Sequence, residues 1–167
     1  AIGLALPGEI DYETGVVKSF GNLDWKDVNL KKALEASTSL PVAIDNDANL
    51  GGLGEAVLGA GKDYHTVLYI TISTGIGTGV IIDGKVDKAL ANSEGGWMPI
   101  NYNDEIKPFE KLASGKAFVA TYGIMGKDAE NELIWHDYAK KLALGFGALI
   151  AVVGPDVLVI GGSMGEH

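Results

Sequence analysis

The sequence predicts an α/β fold, and three observations carry that expectation. Apolar runs of strand length recur along the chain: Pro41-Val42-Ala43-Ile44, residues 66–72, and Val157-Leu158-Val159-Ile160. The first of these runs into Asp45-Asn46-Asp47-Ala48-Asn49, a cluster of side chains that cap helices. Farther on, Trp135, Tyr138, Leu142, Phe146, Leu149 and Val153 recur at helical spacing over residues 131–153. Strand patterns therefore alternate with helical ones, without internal repeats or low-complexity stretches.

The elements follow in order. Ala1-Ile2-Gly3-Leu4-Ala5-Leu6 reads as a buried strand, and Pro7-Gly8 turns the chain. Residues 11–15 read as a turn. Residues 28–37 hold a short helix with Leu30, Ala33 and Leu34 as its apolar positions. After the strand at 41–44, a helix over 48–58 starts from Asp47 or a neighbour as N-cap. Residues 59–63 read as a connection between two lobes. From Thr66 the texture changes to short strands with glycine turns: 67–73, 79–82, then Lys85-Val86 after an Asp83-Gly84 turn. Asp-Gly between apolar runs is a strong hairpin signal. Residues 109–113 and 116–122 suggest two short helices. Gly145 and Gly147 weaken the long helix intrinsically, which predicts close packing against the sheet, and Pro155 ends it. Buried strands at both ends want neighbours on both sides. They predict that this chain is part of a longer polypeptide.

Composition excludes several functions. The 167 residues are 47% hydrophobic, enough to build a core, and their net charge is −9 with no basic run. Binding of nucleic acid or an anionic membrane by this segment is not expected, because phosphate contacts need clustered Lys and Arg. The absence of cysteine excludes disulfides and thiolate metal sites. No apolar run reaches the roughly 18 residues of a membrane span, and no signal-peptide pattern occurs. The chain reads as a soluble cytoplasmic protein.

Two motifs carry chemistry. A carboxylate at a helix N-terminus, as at Asp47, stays ionised and fixed, ready to take a proton from an attacking hydroxyl, and the Asn46 amide could hold a neighbouring hydroxyl. The same residues serve equally well as helix caps. Ser73-Thr74-Gly75-Ile76-Gly77-Thr78-Gly79 offers a hydroxyl and glycine amides that can line phosphates, or simply a turn that needs positive φ. It is neither a P-loop nor a dinucleotide fingerprint. Together and in this order, the two motifs suggest phosphoryl transfer to a small polyol.

The order of motifs resembles the ROK family of bacterial sugar kinases and sugar-responsive repressors. The resemblance spans nearly the whole chain. It rests on the opening strand with Pro7-Gly8, the turn at 11–17, Asn22-Leu23-Asp24-Trp25, Asn46-Asp47-Ala48-Asn49, Thr74-Gly75-Ile76-Gly77, Ser93-Glu94, residues 109–115 and residues 155–162. It implies an actin-like ATPase (ribonuclease H-like) fold of two lobes, binding sugar and Mg-ATP between them. Residues 1–58 would then belong to the N-terminal lobe and 59–167 to the C-terminal lobe. On the same basis Asp47 matches the catalytic base, and Asn46, Glu94 and Glu110 the sugar-hydroxyl ligands, with Gly8 and Asn22 as outer contacts. Thr74, Gly75 and Gly77 match a phosphate motif, and Gly161 and Gly162 the segment beside the adenosine. A homodimer is also implied. From the residues alone, Glu94 and Glu110 read more readily as solvated surface acids.

Two departures from the family pattern stand out. Trp97 occupies the position of a family histidine and Pro108 that of a zinc-binding cysteine, so no structural zinc is expected. The loop after Glu94 would instead have to be pinned by burial of Trp97, Met98, Pro99 and Ile100. His65 reads as a loop residue, His136 lies on the long helix and His167 is terminal. In addition, the family's first phosphate motif, Asp-x-Gly-Gly-Thr, has no match here. The resemblance accordingly implies an ATP-dependent kinase acting on a hexose or related sugar, with the sugar-sensing part of a repressor as the alternative.

Overall fold

The computed structural model describes residues 1–20 and 23–165. The first strand, β1 (Ile2–Leu6), is followed by a short antiparallel meander of β2 (Glu9–Asp11), β3 (Val16–Phe20) and β4 (Leu23–Val28). Of this meander only the Asp11–Gly15 turn is legible in the sequence, because the strands are short and Val16-Val17-Lys18-Ser19-Phe20 alternates imperfectly. Val28 is consumed by β4, so α1 (Leu30–Thr38) starts two residues later than expected. Its N-cap is Asn29, whose Oδ1 accepts from the Lys32 amide at 2.9 Å.

The next strand, β5 (Val42–Asn46), runs parallel to β1 in register from Ile2↔Val42 to Leu6↔Asn46. Among the described residues no other strand flanks β1, so it is only half-covered: Leu6 is buried, while Ala1, Gly3 and Ala5 are exposed. An apolar strand covered on one side only is in keeping with the expectation that this chain is part of a longer polypeptide. Leu6, Ile10, Val17 and Phe20 form a small core under α1.

Helix α2 (Asp47–Leu58) leads into a second sheet made of β6 (Thr66–Ile72), β7 (Ile76–Ile82), β8 (Lys85–Val86) and, from the far end of the chain, β11 (Val157–Gly161), after a hairpin of β9 (Pro99–Tyr102) and β10 (Glu105–Pro108). The strand order is β11-β6-β7-β8, with β11 parallel to β6 and the others antiparallel. Asp83 (φ 51°) and Gly84 (φ 68°) make the expected tight turn. Asn103 (φ 54°) and Asp104 (φ 62°) make a similar one between β9 and β10, which the sequence reading missed.

Helices α3 (Phe109–Ala113), α4 (Gly115–Tyr122) and α5 (Glu132–Val153) cover one face of this sheet. The core there is large: Leu68, Ile70, Ile72, Ile76, Val80, Phe109, Phe118 and Tyr138 are buried, and the six periodic residues of α5 all join it. Gly145 does allow close packing, but against the Phe109 ring of α3 rather than the sheet; a Cβ there would stand 2.2 Å from Cζ. Gly147 faces solvent and meets nothing within 4 Å. On the other face α2 packs against β6 and β7, joining Ala56 and Leu53 to Val67, Ile81 and Val159. No helix among the described residues is long and apolar enough to cross a membrane.

Candidate active site

Asn46, the last residue of β5, caps α2. Its Oδ1 accepts from the Ala48 amide at 2.8 Å and the Asn49 amide at 3.3 Å. Asp47 is thereby relieved of the capping role and becomes the first helical residue. It is exposed, and one oxygen accepts from the Ala48 amide at 2.9 Å. The unpaired amides of the first turn favour a negative charge at this position. The Asn46 amide nitrogen donates to the Gly8 carbonyl at 3.3 Å, which leaves it a second N–H for a ligand. Gly8 has φ +100°, and a Cβ there would lie 1.9 Å from the Ser19 carbonyl, so only glycine fits the turn. Asn22, the other expected outer contact, lies outside the described residues.

Behind Asp47 is a polar network to which the sequence reading gave no role. Asn49 is 1% exposed, and its amide nitrogen donates to Asp45 at 3.0 Å and the Ala91 carbonyl at 2.9 Å, and lies 3.2 Å from the Tyr12 hydroxyl. Tyr12 donates to Asp45 at 2.8 Å. Burial, reinforced by the Asp45 carboxylate, pushes the Tyr12 hydroxyl up to about 12, so it remains a donor at neutral pH. This network ties the start of α2 to Tyr12, just after β2, and to the segment that leads to Glu94. A buried, fully donating Asn two residues after Asp47 is visible only in three dimensions.

Glu94 and Glu110 are brought together by the β9–β10 hairpin. Glu94 precedes a single helical turn at Gly95–Trp97. Thr78 of β7 is buried, and its hydroxyl accepts from the Gly95 amide at 3.0 Å and donates to the Ser93 carbonyl at 3.4 Å. The Phe109 amide donates to the Met98 carbonyl at 2.9 Å, and Pro108 pairs with Pro99. Glu110, in the first turn of α3, therefore lies close to the Glu94 turn. Exposed as Glu94 is overall, the surrounding walls desolvate its carboxyl and hold it above the usual carboxylate range. The charges of Asp47, Glu110 and Glu9 add to this effect. Three acids singled out by resemblance thus act on one space. Trp97 does not pin the loop by burial, being 60% exposed; Pro99 is exposed too. Ile100, Met98 and the hydrogen bonds above hold it instead.

The glycine-rich turn is shorter than expected. β7 begins at Ile76, so the turn proper is residues 73–75, and Gly77 and Gly79 lie within a strand. A Cβ on Gly77 would stand 3.0 Å from that of Ala48, and one on Gly79 would stand 2.8 Å from the Ala48 carbonyl oxygen. These glycines let the first turn of α2 lie directly on β7. Gly75 adjoins the acids, since a Cβ there would be 3.1 Å from a Glu110 carboxylate oxygen. Thr74 lines a cleft of about 480 Å³ with Ser73, Gly115, Ser163 and Met164, and a smaller one of about 180 Å³ with Glu110 and Ser114.

Gly161 ends β11, and Gly162 begins the turn that carries Ser163 and Met164 to the larger cleft. Gly162 has φ +83° and sits against the Ile72 backbone, and the Met164 amide donates to the Ile72 carbonyl at 2.9 Å. The phosphate-type turn and the adenosine-side turn are therefore adjacent, though Ser163 and Met164 rather than the two glycines line the cavity. Among the described residues no group of three or more His, Asp or Glu side chains is placed to hold a metal ion. A Mg²⁺ carried by nucleotide phosphates needs no such cage, since one or two carboxylates suffice beside the phosphates and water.

The geometry agrees with the kinship of the chain: the ROK family model matches residues 1–167, and the chain belongs to the ROK family. It is 45% identical over 85 residues to a glucokinase of Halalkalibacterium halodurans, covering 51% of this chain and 26% of that protein. It is 39% identical over 104 residues to the xylose repressor of Bacillus subtilis, covering 61% of this chain and 27% of that protein. The structure of a ROK family glucokinase from Streptomyces griseus in complex with glucose and AMPPNP matches 97% of this chain and 65% of that one, with a TM-score of 0.82 at 25% identity. The fold is the actin-like ATPase fold of these kinases. The chain spans about half the length, 49%, of curated relatives that it matches almost from end to end.

Proposed function

We propose that the protein carrying this chain is an ATP-dependent sugar kinase that transfers the γ-phosphoryl group to a hydroxyl of a hexose or related sugar. The observation that supports this best is the convergence of Asp47, Glu94 and Glu110 on one space beside the Thr74–Gly75 turn. Glu94, Glu110 and the spare Asn46 N–H hold the sugar hydroxyls. Asp47 accepts the proton of the attacking hydroxyl as its oxygen bonds to the γ-phosphorus. The bond from that phosphorus to the β-phosphate oxygen then breaks, and ADP leaves. Little covalent help is needed beyond this, because phosphoryl transfer depends on positioning and charge. The donor lies along the cleft between Thr74 and Met164, its phosphates toward Thr74, Gly75 and Gly77 and its adenosine toward Gly161-Gly162. Mg²⁺ accompanies the nucleotide in this reading, and no zinc is required.

The decisive variant is Asp47→Asn in the full-length protein. It is nearly isosteric, and Asn46 still caps the helix, but it accepts no proton. Turnover should fall by about 10²–10⁴ with sugar affinity within a few-fold. Near-normal kcat would reduce Asp47 to a first-turn acid with no chemical role.

The likeness to a xylose repressor favours a second reading, in which the same site senses a sugar for a transcriptional repressor. Sugar binding without turnover in the full-length protein would select it. In either reading we place the protein in the cytoplasm as a homodimer, with no nucleic-acid contact by this acidic segment. We assign residues 1–58 and 59–167 to two lobes. The division is one of function more than of packing, since α2 carries Asp47 while resting on β6 and β7.

A further inference from the structure

A site built from carboxylates repels a triphosphate, so something must offset Asp47, Glu94 and Glu110 where the donor enters. Lys116 stands at that point. It lines both the 480 Å³ and the 180 Å³ cavities, and Thr74 is among the few residues that do the same. It lies in the first turn of the eight-residue α4, whose Ser114 N-cap accepts from the Ala117 amide at 3.2 Å. The preceding amide, Gly115, donates to the Ser73 carbonyl at 2.7 Å, which locks α4 to the Thr74 turn. The neighbouring cation Lys111, which lines only the smaller cavity, already lies 3.6 Å from the Glu110 carboxylate. The Lys116 ammonium group makes no hydrogen bond or ion pair with another described residue. An exposed lysine elsewhere would be a solvated surface charge; this one borders the junction between the acid cluster and the donor cleft.

We propose that Lys116 is a phosphate-binding residue, whose ammonium group meets the terminal phosphates of the donor nucleotide and neutralises charge between them and the acids. The assignment rests on the kinase reading. A flexible ammonium group suits the role, because it follows the phosphate as the β–γ bridge opens. The loss on removing it should grow with the number of phosphates, since its partner is the terminal group and not the nucleoside.

The test compares the full-length wild type with Lys116→Met and Lys116→Arg, by calorimetric titration with adenosine, ADP and AMPPNP in Mg²⁺ buffer, and separately with glucose. Lys116→Met should weaken AMPPNP by about ten- to a hundredfold, ADP by less and adenosine hardly at all. Glucose affinity should stay within about twofold, and Lys116→Arg should recover most of the loss. Equal AMPPNP affinity in wild type and Lys116→Met would overturn the assignment and leave the kinase reading standing. An equal loss for adenosine and AMPPNP would overturn it too, as the mark of a distorted cleft. A wild type that binds glucose but neither AMPPNP nor ADP would overturn both.

Discussion

Asp47 is held from two sides by different physics. On one side, Asn49, Asp45 and Tyr12 form a hydrogen-bonded network that reaches the Ala91 carbonyl. On the other, Gly77 and Gly79 of β7 bring strand backbone against the first turn of α2, with no polar side chain between. A hydrogen-bonded support specifies direction and can be weakened one bond at a time. A backbone contact specifies distance and fails as a block, because close-packed interiors have nowhere to put an added methyl group. β7 also works on its other face. Strand side chains alternate, so Thr78 points away from α2 and toward the Glu94 turn. One strand therefore places the proposed base and a proposed sugar ligand relative to each other.

The dry side should give the largest effect. Gly79→Val would put a branched side chain where a single Cβ already stands 2.8 Å from the Ala48 carbonyl and 3.1 Å from the Asn49 Cα. The helix must lift or the strand must bend. We expect a loss of about 3 kcal/mol or more, near the top of the overpacking range. For a chain of this size that lowers the midpoint of thermal unfolding by roughly 10 °C. Unchanged melting in Gly79→Val would mean that α2 does not rest on β7 as described.

The polar side should cost less stability and more order. Asn49→Ala removes an amide nitrogen that serves Asp45 and the Ala91 carbonyl; half-buried Asp45 keeps Tyr12 and the Asn46 amide as donors, so the loss falls chiefly on the buried Ala91 carbonyl. Unsatisfied buried groups cost about 1–3 kcal/mol. Because the network connects α2 to the 91–94 segment, sugar affinity should drop several-fold together with stability. Titration calorimetry alongside chemical denaturation separates the two. A variant that loses stability but keeps full sugar affinity would show the network to be only structural.

How much of this was legible from residues alone differs by element. α5 was readable because 22 residues repeat one period, and the β7–β8 turn because Asp-Gly is a strong signal. The β9–β10 turn uses Asn103-Asp104, which also tolerates positive φ, but its flanks mix polar with apolar residues and conceal the strands. That omission mattered. Glu94 and Glu110 are sixteen positions apart, and only this hairpin brings them to one site. From the residues alone they were indistinguishable from surface acids, and only the resemblance singled them out. The resemblance places Gly77 in a phosphate motif, and Gly79 closes the same glycine-rich stretch. Their close contact with α2 depends on strand register, which a local pattern does not reveal.

The smallest effect should come from the other face of β7. Thr78→Val keeps the shape and branching of the side chain but removes the hydroxyl that accepts from the Gly95 amide and donates to the Ser93 carbonyl. The 3.4 Å bond to Ser93 is long and adds little, so the loss is chiefly the Gly95 partner, about 1 kcal/mol. Fold and α2 placement should survive, because Gly77 and Gly79 are untouched. Glu94 should be held less firmly, and in the proposed kinase that appears as a several-fold rise in KM for the sugar with KM for ATP unchanged. Thr78→Ser keeps the hydroxyl and should restore the sugar KM even if it loses some packing. Equal sugar KM values for Thr78→Val and wild type would show that the hairpin alone fixes Glu94. A rise in the ATP KM instead would mean that the face of β7 turned away from α2 also supports the donor cleft, and that the two faces do not divide the work as their side chains do.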